Sequence, residues 1–203
     1  MLSILRPTRR HLLTALAALS LSLSGAHADT TVKLMVGFPP GGGTDAIARL
    51  LGDKLKDQLG TSVIVENKAG AGGQIAAQAL KAAPADGSVL ALSQVSALAN
   101  YPFIYSKMNY EAKDFAPVSI GAIMQHGLAV GPMVPASVKN VKDFLAWAKA
   151  NPKDASYGSP GAGSTPHFLG ALLGINSGTE LKHVPYRGSI PGVTDVLAGQ
   201  VAA

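Results

Sequence analysis

Beyond residue 30 the apolar positions alternate between two spacings, which indicates strands alternating with helices. The first run, residues 31–38, is rich in β-formers and predicts a buried strand. Further strands are predicted at residues 62–67 and 89–92, with a helix of small residues between them that ends near Ala83. A longer helix before Gly60 is predicted from apolar residues three and four positions apart, namely Ile47, Leu50, Leu51, Leu55 and Leu59.

The second half of the chain repeats this alternation. Residues 113–132 predict a long extended stretch that passes between two domains. Residues 141–152 predict an amphipathic helix that a proline ends. Strands at 155–159 and 181–186, followed by a short helix through Leu197, complete the pattern. Strands that alternate with helices predict an α/β fold with parallel sheets and crossover connections.

Three glycine-rich loops each lie between a predicted strand and the start of a helix, at residues 39–43, 68–74 and 158–167. Loops that follow parallel strands gather at one edge of the sheet. Helix N-termini there present unpaired N–H groups and a partial positive charge. The sequence therefore predicts an anion site built mainly from main chain. Hydroxyl donors for this site are predicted at Thr44, Ser159, Ser164 and Thr165.

The first loop fits two nucleotide-binding spacings and completes neither. Gly43 stands where a phosphate-binding loop needs its lysine, although the trio Gly41, Gly43 and Ala46 fits a dinucleotide fingerprint. Without that lysine, and with the acid Asp45 beside the loop, a carboxylate fits better than a polyphosphate. Asp45 has three candidate roles: capping the helix, pairing with Arg49, or meeting a cationic or hydroxyl group of the ligand.

Residues 1–28 have the pattern of a cleavable export signal, with a basic start, an apolar run at 12–23 and small residues before Asp29. A membrane anchor is the alternative, but that run is shorter than the about 20 apolar residues that a span requires. The pair Arg9 and Arg10 resembles a twin-arginine signal. The chain has no cysteine for a disulfide or a lipid, so a soluble periplasmic protein is predicted.

Charge and composition argue against a nucleic-acid partner and against a metal. The predicted signal holds three of the 17 basic residues and none of the 12 acids, which leaves 14 basic against 12 acidic residues, a net charge of +2. The basic residues are scattered singly rather than clustered. His126 and His183 lack metal-ligand spacing. We therefore expect no nucleic acid, no metal and no cofactor.

A serine hydrolase is the main alternative class. Such an enzyme needs G-x-S-x-G at a strand-to-helix turn, and no serine here is so flanked. Ser164 and His167 lie three residues apart at a helix start. A hydroxyl there donates to an anion or to the main chain, and the histidine serves as a ligand donor, a cap or a base. The sequence favours a binding protein that performs no chemistry.

Six motifs occur along the chain in a characteristic order. They are FPPGGGTDAIAR at 38–49, NKAGAGGQIAA at 67–77, DGSVL at 86–90, KDFAPVS at 113–119, YGSPGAGSTPH at 157–167 and HVPYRG at 183–188. In sequence and order they closely resemble the substrate-binding receptors of tripartite tricarboxylate transporters, the Bug-type extracytoplasmic receptors. The resemblance extends over residues 34–200, nearly all of the chain that follows the predicted signal.

The resemblance implies a two-lobed, periplasmic-binding-protein-like fold that closes on its ligand by hinge motion. The lobes are expected at residues 29–126 and 127–203. The implied function is that of a monomer that delivers a small carboxylate to integral-membrane transporter subunits; the acid is a di- or tricarboxylate, an acidic amino acid or an aromatic acid. Members of the family are longer, so a C-terminal part is expected to be missing. A truncated, non-functional receptor stays open as an alternative, beside the hydrolase.

The resemblance also implies which residues bind the ligand. The loop at 41–45 and the loop at 159–167 are expected to face each other and clamp a carboxylate, partly through water. Two residues of the second loop are expected to line the same cleft. The expected ligand-binding residues are Gly41, Gly42, Gly43, Thr44, Asp45, Ala71, Gly72, Ser159, Gly161, Gly163, Ser164, Thr165 and His167.

Overall fold

A computed structural model describes residues 31–203, which form one compact unit. The predicted export signal at residues 1–28 lies outside the described residues. Strands and helices alternate along the described chain, as the apolar spacing predicts. No helix within residues 31–203 is long and apolar enough to cross a membrane.

The first half of the described chain forms a three-stranded parallel sheet. Its strand order is β2-β1-β3, with Leu34 of β1 opposite Val65 on one side and Leu90 on the other. The elements are β1 (Val32–Val36), α1 (Gly43–Leu59), β2 (Val63–Asn67), α2 (Gln74–Lys81) and β3 (Val89–Leu92). Because all three strands are parallel, the loops that follow β1 and β2 lie at the same edge.

The second half forms a separate parallel pair. β4 and β5 are hydrogen bonded with Tyr157 opposite His183. The elements are α3 (Val141–Ala150), β4 (Ser156–Ser159), α4 (Thr165–Ser177), β5 (Lys182–Pro185) and α5 (Ser189–Leu197). The prediction of parallel sheets with helical crossovers is confirmed.

Each sheet has its own buried cluster of apolar side chains. The first cluster joins β1 to α1 through Leu34, Val36, Phe38 and Ala48, with partly buried residues of β2 and β3 packed against it. The second cluster contains Val134, Phe144, Tyr157, Ala202 and Ala203. The two cores fix the strands whose carboxyl ends carry the glycine loops.

The helix predicted before Gly60 is present, but not all of the apolar residues that predict it face the sheet. Leu50 and Leu59 are 69% and 54% exposed, whereas the small residues Ala48 and Gly52 are buried. A Cβ added at Gly52 would lie 3.5 Å from a methyl carbon of Val65, so α1 approaches the sheet along its small residues. That close approach leaves the two leucines beside the contact and not within it.

The predicted extended stretch at 113–132 begins in a short 3₁₀ turn, Ala112–Asp114, and carries no paired strand. Its side chains are largely exposed; Val118, Ile120 and Ile123 are 84%, 78% and 88% accessible. Near the end of this stretch the main chain is hydrogen bonded again, since the N–H of Gly131 donates to the carbonyl of Ala202 at 3.0 Å.

Candidate functional site

The first glycine loop leaves the N-terminus of α1 open. Gly42 is the N-cap residue, in an extended conformation, and no side chain caps the helix. Within residues 31–203 the N–H groups of Gly42, Gly43 and Thr44 have no hydrogen-bond acceptor. Unpaired N–H groups and the helix dipole make this end of α1 attractive to an anion.

Asp45 is buried in the first turn of α1 and is held by groups of the protein. Its Oδ2 accepts hydrogen bonds from the N–H of Gly41 and from Nε of Arg49, both at 2.9 Å. Its Oδ1 accepts from Nη2 of Arg49 at 3.0 Å and from Nδ2 of Asn67 at 2.8 Å. Of the three candidate roles of Asp45, pairing with Arg49 is the one that the structure contains.

The same contacts set the ionisation of Asp45. Arg49, the Gly41 N–H and Asn67 hold the pKa of this carboxyl well below its usual range, against the opposing effect of burial. Asn67 also donates to the carbonyl of Phe38 at 3.0 Å. The carboxylate therefore anchors the first loop to α1 and β2, and Arg49 neutralises its charge.

The second glycine loop touches both of its neighbours. A Cβ on Gly37 would lie 2.6 Å from the Cα of Gly73, so the first and second loops meet main chain to main chain. The hydroxyl of buried Tyr101 donates to the carbonyl of Gly72 at 3.0 Å, and its ring lies 2.8 Å from the Cβ position of Gly163. Burial raises the pKa of Tyr101 to about 12, which keeps this donor protonated. Tyr101 thus packs between the second and third loops.

Ser159 begins the third glycine loop and is buried. Its hydroxyl donates to the carbonyl of Gly161 at 3.0 Å, and its Oγ lies 2.7 Å from Nε2 of His183. Both contacts are internal to the protein. They hold the turn between β4 and the start of α4.

The start of α4 is capped, in contrast to α1. The Oγ of Ser164 accepts from the N–H of His167 at 3.4 Å, and Nδ1 of His167 accepts from the N–H of Gly163 at 3.0 Å. Oγ1 of Thr165 lies 3.5 Å from Oγ of Ser96, which links α4 to the π-helical turn Ser96–Asn100. The three predicted ligand-binding residues at this helix start therefore each have a partner within the protein.

Two histidine rings stack behind the third loop. The centroids of His167 and His183 are 3.9 Å apart, and Tyr157 lies against His183 at 5.1 Å. Burial lowers the pKa of both histidines; together with the nearby charge of His167 it brings that of His183 to about 4. Both rings are neutral near pH 7 and act as packing groups with internal hydrogen bonds.

A cavity of about 250 Å³ lies where the three loops meet the end of β5, and we call it the larger cavity. Its volume is close to the lower end of the range typical of small-molecule sites. Residues of the three loops, together with Tyr105 and Tyr186, border it. Its lining includes Phe38, Gly70, Ala71, Gly72, Gly161 and Arg187.

A second space, the α1 cleft, lies at the N-terminus of α1 and has a volume of about 20 Å³, enough for about one water molecule. It is bounded by Gly42, Gly43 and Thr44 on one side and by the turn at residues 187–191 on the other. Gln94 borders it too, and its Nε2 donates to Oγ1 of Thr44 at 3.3 Å. The loop at 41–45 thus shares a cleft with the start of α5, whereas Gly161 of the third loop approaches Gly72.

The structure divides the expected ligand-binding residues into two groups. Six border a cavity, namely Gly42, Gly43, Thr44, Ala71, Gly72 and Gly161. The other seven border neither cavity, namely Gly41, Asp45, Ser159, Gly163, Ser164, Thr165 and His167. The second group supports the loops through the hydrogen bonds described above.

The cavities are also bordered by residues that are absent from the sequence-based set, among them Gln94, Tyr105 and Arg187, whose side chains are polar or charged. Gln94 follows β3 by two residues and Arg187 follows β5 by two residues. Ligands bind at the carboxyl ends of parallel strands, so the positions of Gln94 and Arg187 mark them as candidates in the same way as the glycine loops. In the described part of the chain, residues 31–203, no three acidic or histidine side chains come together as a metal-ion site.

Glycine loops at the carboxyl ends of parallel strands, bordering two cavities, define an α/β ligand-binding protein. Residues 47–203 match the family model described as "Tripartite tricarboxylate transporter family receptor". The chain belongs to this receptor family.

A sequence relative and two solved structures illustrate the family. Protein BugT of Bordetella pertussis is 37% identical over 174 residues, which cover 85% of this chain and 53% of BugT. MatC from Rhodopseudomonas palustris with bound malate is 26% identical, with a TM-score of 0.71 over 85% of this chain and 58% of MatC. R. palustris Rpa4515 with adipate is 28% identical, with a TM-score of 0.71 over 85% of this chain and 57% of Rpa4515.

The solved structure of the periplasmic binding protein BugD is 27% identical, with a TM-score of 0.65 over 85% of this chain and 57% of BugD, and its likeness confirms the periplasmic-binding-protein-like α/β fold. The chain spans about half the length of the curated relatives it matches, with 50% and 53% of two of them covered.

Proposed function

We propose that this protein is a periplasmic receptor that captures a small organic carboxylate and delivers it to a tripartite tricarboxylate transporter in the membrane. One observation carries the proposal: α1 begins with unpaired N–H groups at Gly42, Gly43 and Thr44, and these residues border the narrow α1 cleft. Main-chain donors at a helix N-terminus suit a carboxylate.

The charges around the cleft favour an acid of low charge. Asp45 is the acidic residue nearest along the chain, and Arg49 neutralises it. The loop has no lysine to balance a polyphosphate, because Gly43 occupies that position. A carboxylate can therefore approach α1 without repulsion from Asp45, whereas a nucleotide lacks its usual counter-charge.

Membership of the receptor family supports the same function. The solved relatives MatC and Rpa4515 carry malate and adipate, which are small dicarboxylates. We infer the same ligand class for this chain, together with delivery to membrane subunits, action as a monomer and residence in the periplasm.

The proposed binding site lies between two lobes. We assign residues 29–126 to the first and 127–203 to the second, because β1, β2 and β3 fall in the first range and β4 and β5 in the second. Both cavities are bordered by residues from both ranges. Closure of the lobes would bury the ligand by hinge motion.

We further infer that the protein catalyses no reaction. The close pair Ser159 and His183 is the arrangement nearest to a hydrolytic dyad, yet Ser159 borders neither cavity and donates to a main-chain carbonyl. Hydrolysis of p-nitrophenyl esters that disappears in Ser159→Ala would contradict this inference.

The proposed function is tested by thermal unfolding of the purified protein with a panel of mono-, di- and tricarboxylates and acidic amino acids. A ligand at one hundred times its Kd should stabilise the folded state by about 2.7 kcal/mol, which raises Tm measurably. ATP serves as the matched control and should leave Tm unchanged. A panel in which no acid raises Tm would contradict carboxylate capture.

A further inference from the structure

Arg187 is held at a fixed point beside both cavities. It follows β5 and precedes α5, and the main chain on either side of it is hydrogen bonded to the third loop. The N–H of Tyr186 donates to the carbonyl of Ser159 at 2.8 Å, and the N–H of Gly188 donates to the carbonyl of Pro160 at 3.1 Å. The Cα of Arg187 is therefore fixed although its side chain is exposed.

The guanidinium of Arg187 has no hydrogen-bond or ion-pair partner within residues 31–203. Residues 31–203 contain two arginines, Arg49 and Arg187. Arg49 pairs with Asp45, whereas Arg187 makes no hydrogen bond or ion pair with any residue of 31–203. An unpaired guanidinium with planar donors is suited to bidentate contact with a carboxylate.

Arg187 also borders both the larger cavity and the α1 cleft. Among the described residues that border either space it is the one with a charged side chain. The neighbouring acid Asp195 is engaged by the hydroxyl of Tyr186 at 2.7 Å. A ligand carboxylate in the larger cavity can therefore bind the guanidinium of Arg187, because no acidic side chain borders the cavity and competes for that guanidinium.

The N-terminus of α1 carries only about half a positive charge, which matches one carboxylate and not two. A second negative charge on the ligand needs a full cation. We propose that Arg187 binds the second carboxylate of the ligand in the larger cavity, so that the receptor selects dicarboxylates over monocarboxylates. This inference rests on the proposed function, since it assumes that the first carboxylate lies at α1.

The test compares acids of equal chain length that differ by one carboxylate. Isothermal titration calorimetry would measure the affinities of succinate and butyrate, and of adipate and hexanoate. In Arg187→Gln the diacid affinities should fall roughly 10- to 100-fold, the loss expected for a hydrogen-bonded charge pair, while those of the monoacids stay unchanged. Arg187→Lys should restore part of the diacid affinity, because the charge returns without the planar donors.

Lys182→Gln is the matched control, since it removes one positive charge from β5 at a side chain that borders neither cavity. It should leave all four affinities within about twofold of wild type, as expected for a distant exposed charge. Unchanged Tm without ligand would show that Arg187→Gln is folded.

Equal weakening of diacid and monoacid binding in Arg187→Gln would overturn the role of Arg187, as would diacid binding that this variant does not change. Wild-type protein that binds monoacids as tightly as diacids would also overturn it, while leaving carboxylate capture intact. Absence of binding across the whole acid panel would instead contradict the proposed function itself.

Discussion

Arg49 holds the carboxylate of Asp45 through two hydrogen bonds, from Nε to Oδ2 at 2.9 Å and from Nη2 to Oδ1 at 3.0 Å. The two residues are one helical turn apart on α1. Because Oδ2 also accepts the N–H of Gly41, a single buried charge connects the glycine loop to the helix it precedes. The pair thus fixes the loop that borders the α1 cleft and neutralises the carboxylate beside it.

Replacing this charge should loosen the loop. In Asp45→Asn the side chain keeps its shape but exchanges one acceptor oxygen for a donor, so the contact with Arg49 or with Gly41 is lost. We expect the free energy of unfolding to fall by about 1 to 3 kcal/mol, measured by urea denaturation. Asp53→Asn, on the exposed surface of the same helix, is the control and should change stability by less than about 0.5 kcal/mol.

Stability should decrease as the medium becomes acidic, through the stacked histidines. The pKa of His183 is about 4 in the folded protein and 6.5 in its ordinary state, because burial and the charge of His167 disfavour its protonated form. Between these values the unfolded chain binds a proton that the folded chain does not. The free energy of unfolding therefore falls as the pH drops from about 6.5 to about 4.

Urea denaturation at pH 7.5 and pH 4.5 would measure this difference. In His183→Gln the difference in the free energy of unfolding between the two pH values should be smaller. It should not vanish, because burial also lowers the pKa of His167. Exposed His126 provides the control, and His126→Gln should leave the difference unchanged. Equal pH dependence of the free energy of unfolding in wild type and His183→Gln would show that His183 does not cause the loss of stability at acidic pH.

Gly72 should tolerate no side chain, because Tyr101 fills the space. Gly72 and Gly60 have nearly the same backbone angle, with φ of 64° and 65°. A Cβ at Gly60 would meet open space, but one at Gly72 would overlap the Tyr101 hydroxyl. Gly60→Ala should cost about 1 kcal/mol from the left-handed backbone, and Gly72→Ala about 1 to 3 kcal/mol more.

A double-mutant cycle tests the cause of that difference. Tyr101→Phe removes the hydroxyl, so Gly72→Ala should cost less in this background than in wild type. The readout is the free energy of unfolding of all four proteins. Additive costs would mean that the hydroxyl of Tyr101 is not what excludes a side chain at Gly72.

A negative charge in the α1 cleft should weaken ligand binding. Gln94→Glu keeps the size of the side chain, and the hydroxyl of Thr44 can donate to the new carboxylate in place of the present bond. Because the added charge competes with the ligand for the N-terminus of α1, carboxylate affinity should fall about tenfold or more. Gln58→Glu, exposed near the end of α1, makes the same charge change as a control.

Calorimetry with the tightest acid of the panel would compare both variants with wild type. Equal affinities in Gln94→Glu and Gln58→Glu would indicate that the ligand does not approach the start of α1.

The alternation of strands and helices was predictable because it depends on local apolar spacing, and so was the edge at which the glycine loops gather. The exposure of Leu50 and Leu59 was not, since the pattern cannot reveal that α1 contacts its sheet through Ala48 and Gly52. Periodicity identifies a face of a helix, whereas the distance between helix and sheet depends on residues of another element.

Contacts between residues far apart in the sequence could not be predicted from it either. Tyr101 meets Gly72 and Gly163, which are 29 and 62 positions away, and His167 stacks on His183 across a strand connection. Neither contact has a local pattern. The hydroxyl groups of Ser159 and Ser164 were assigned to the ligand from their place in a loop, whereas the structure gives both of them partners inside the protein.

The open start of α1 has a consequence for how such a receptor can change its cargo. Main-chain N–H groups are present in every residue except proline, so almost no single substitution in the loop deletes them. Mutations at Gln94, Tyr105 or Arg187 alter only the side-chain part of the cavity walls. Under the proposed function, capture of an acid depends on main-chain donors, whereas preference among acids depends on side chains. A point mutation can then change the preference while the main-chain donors stay in place.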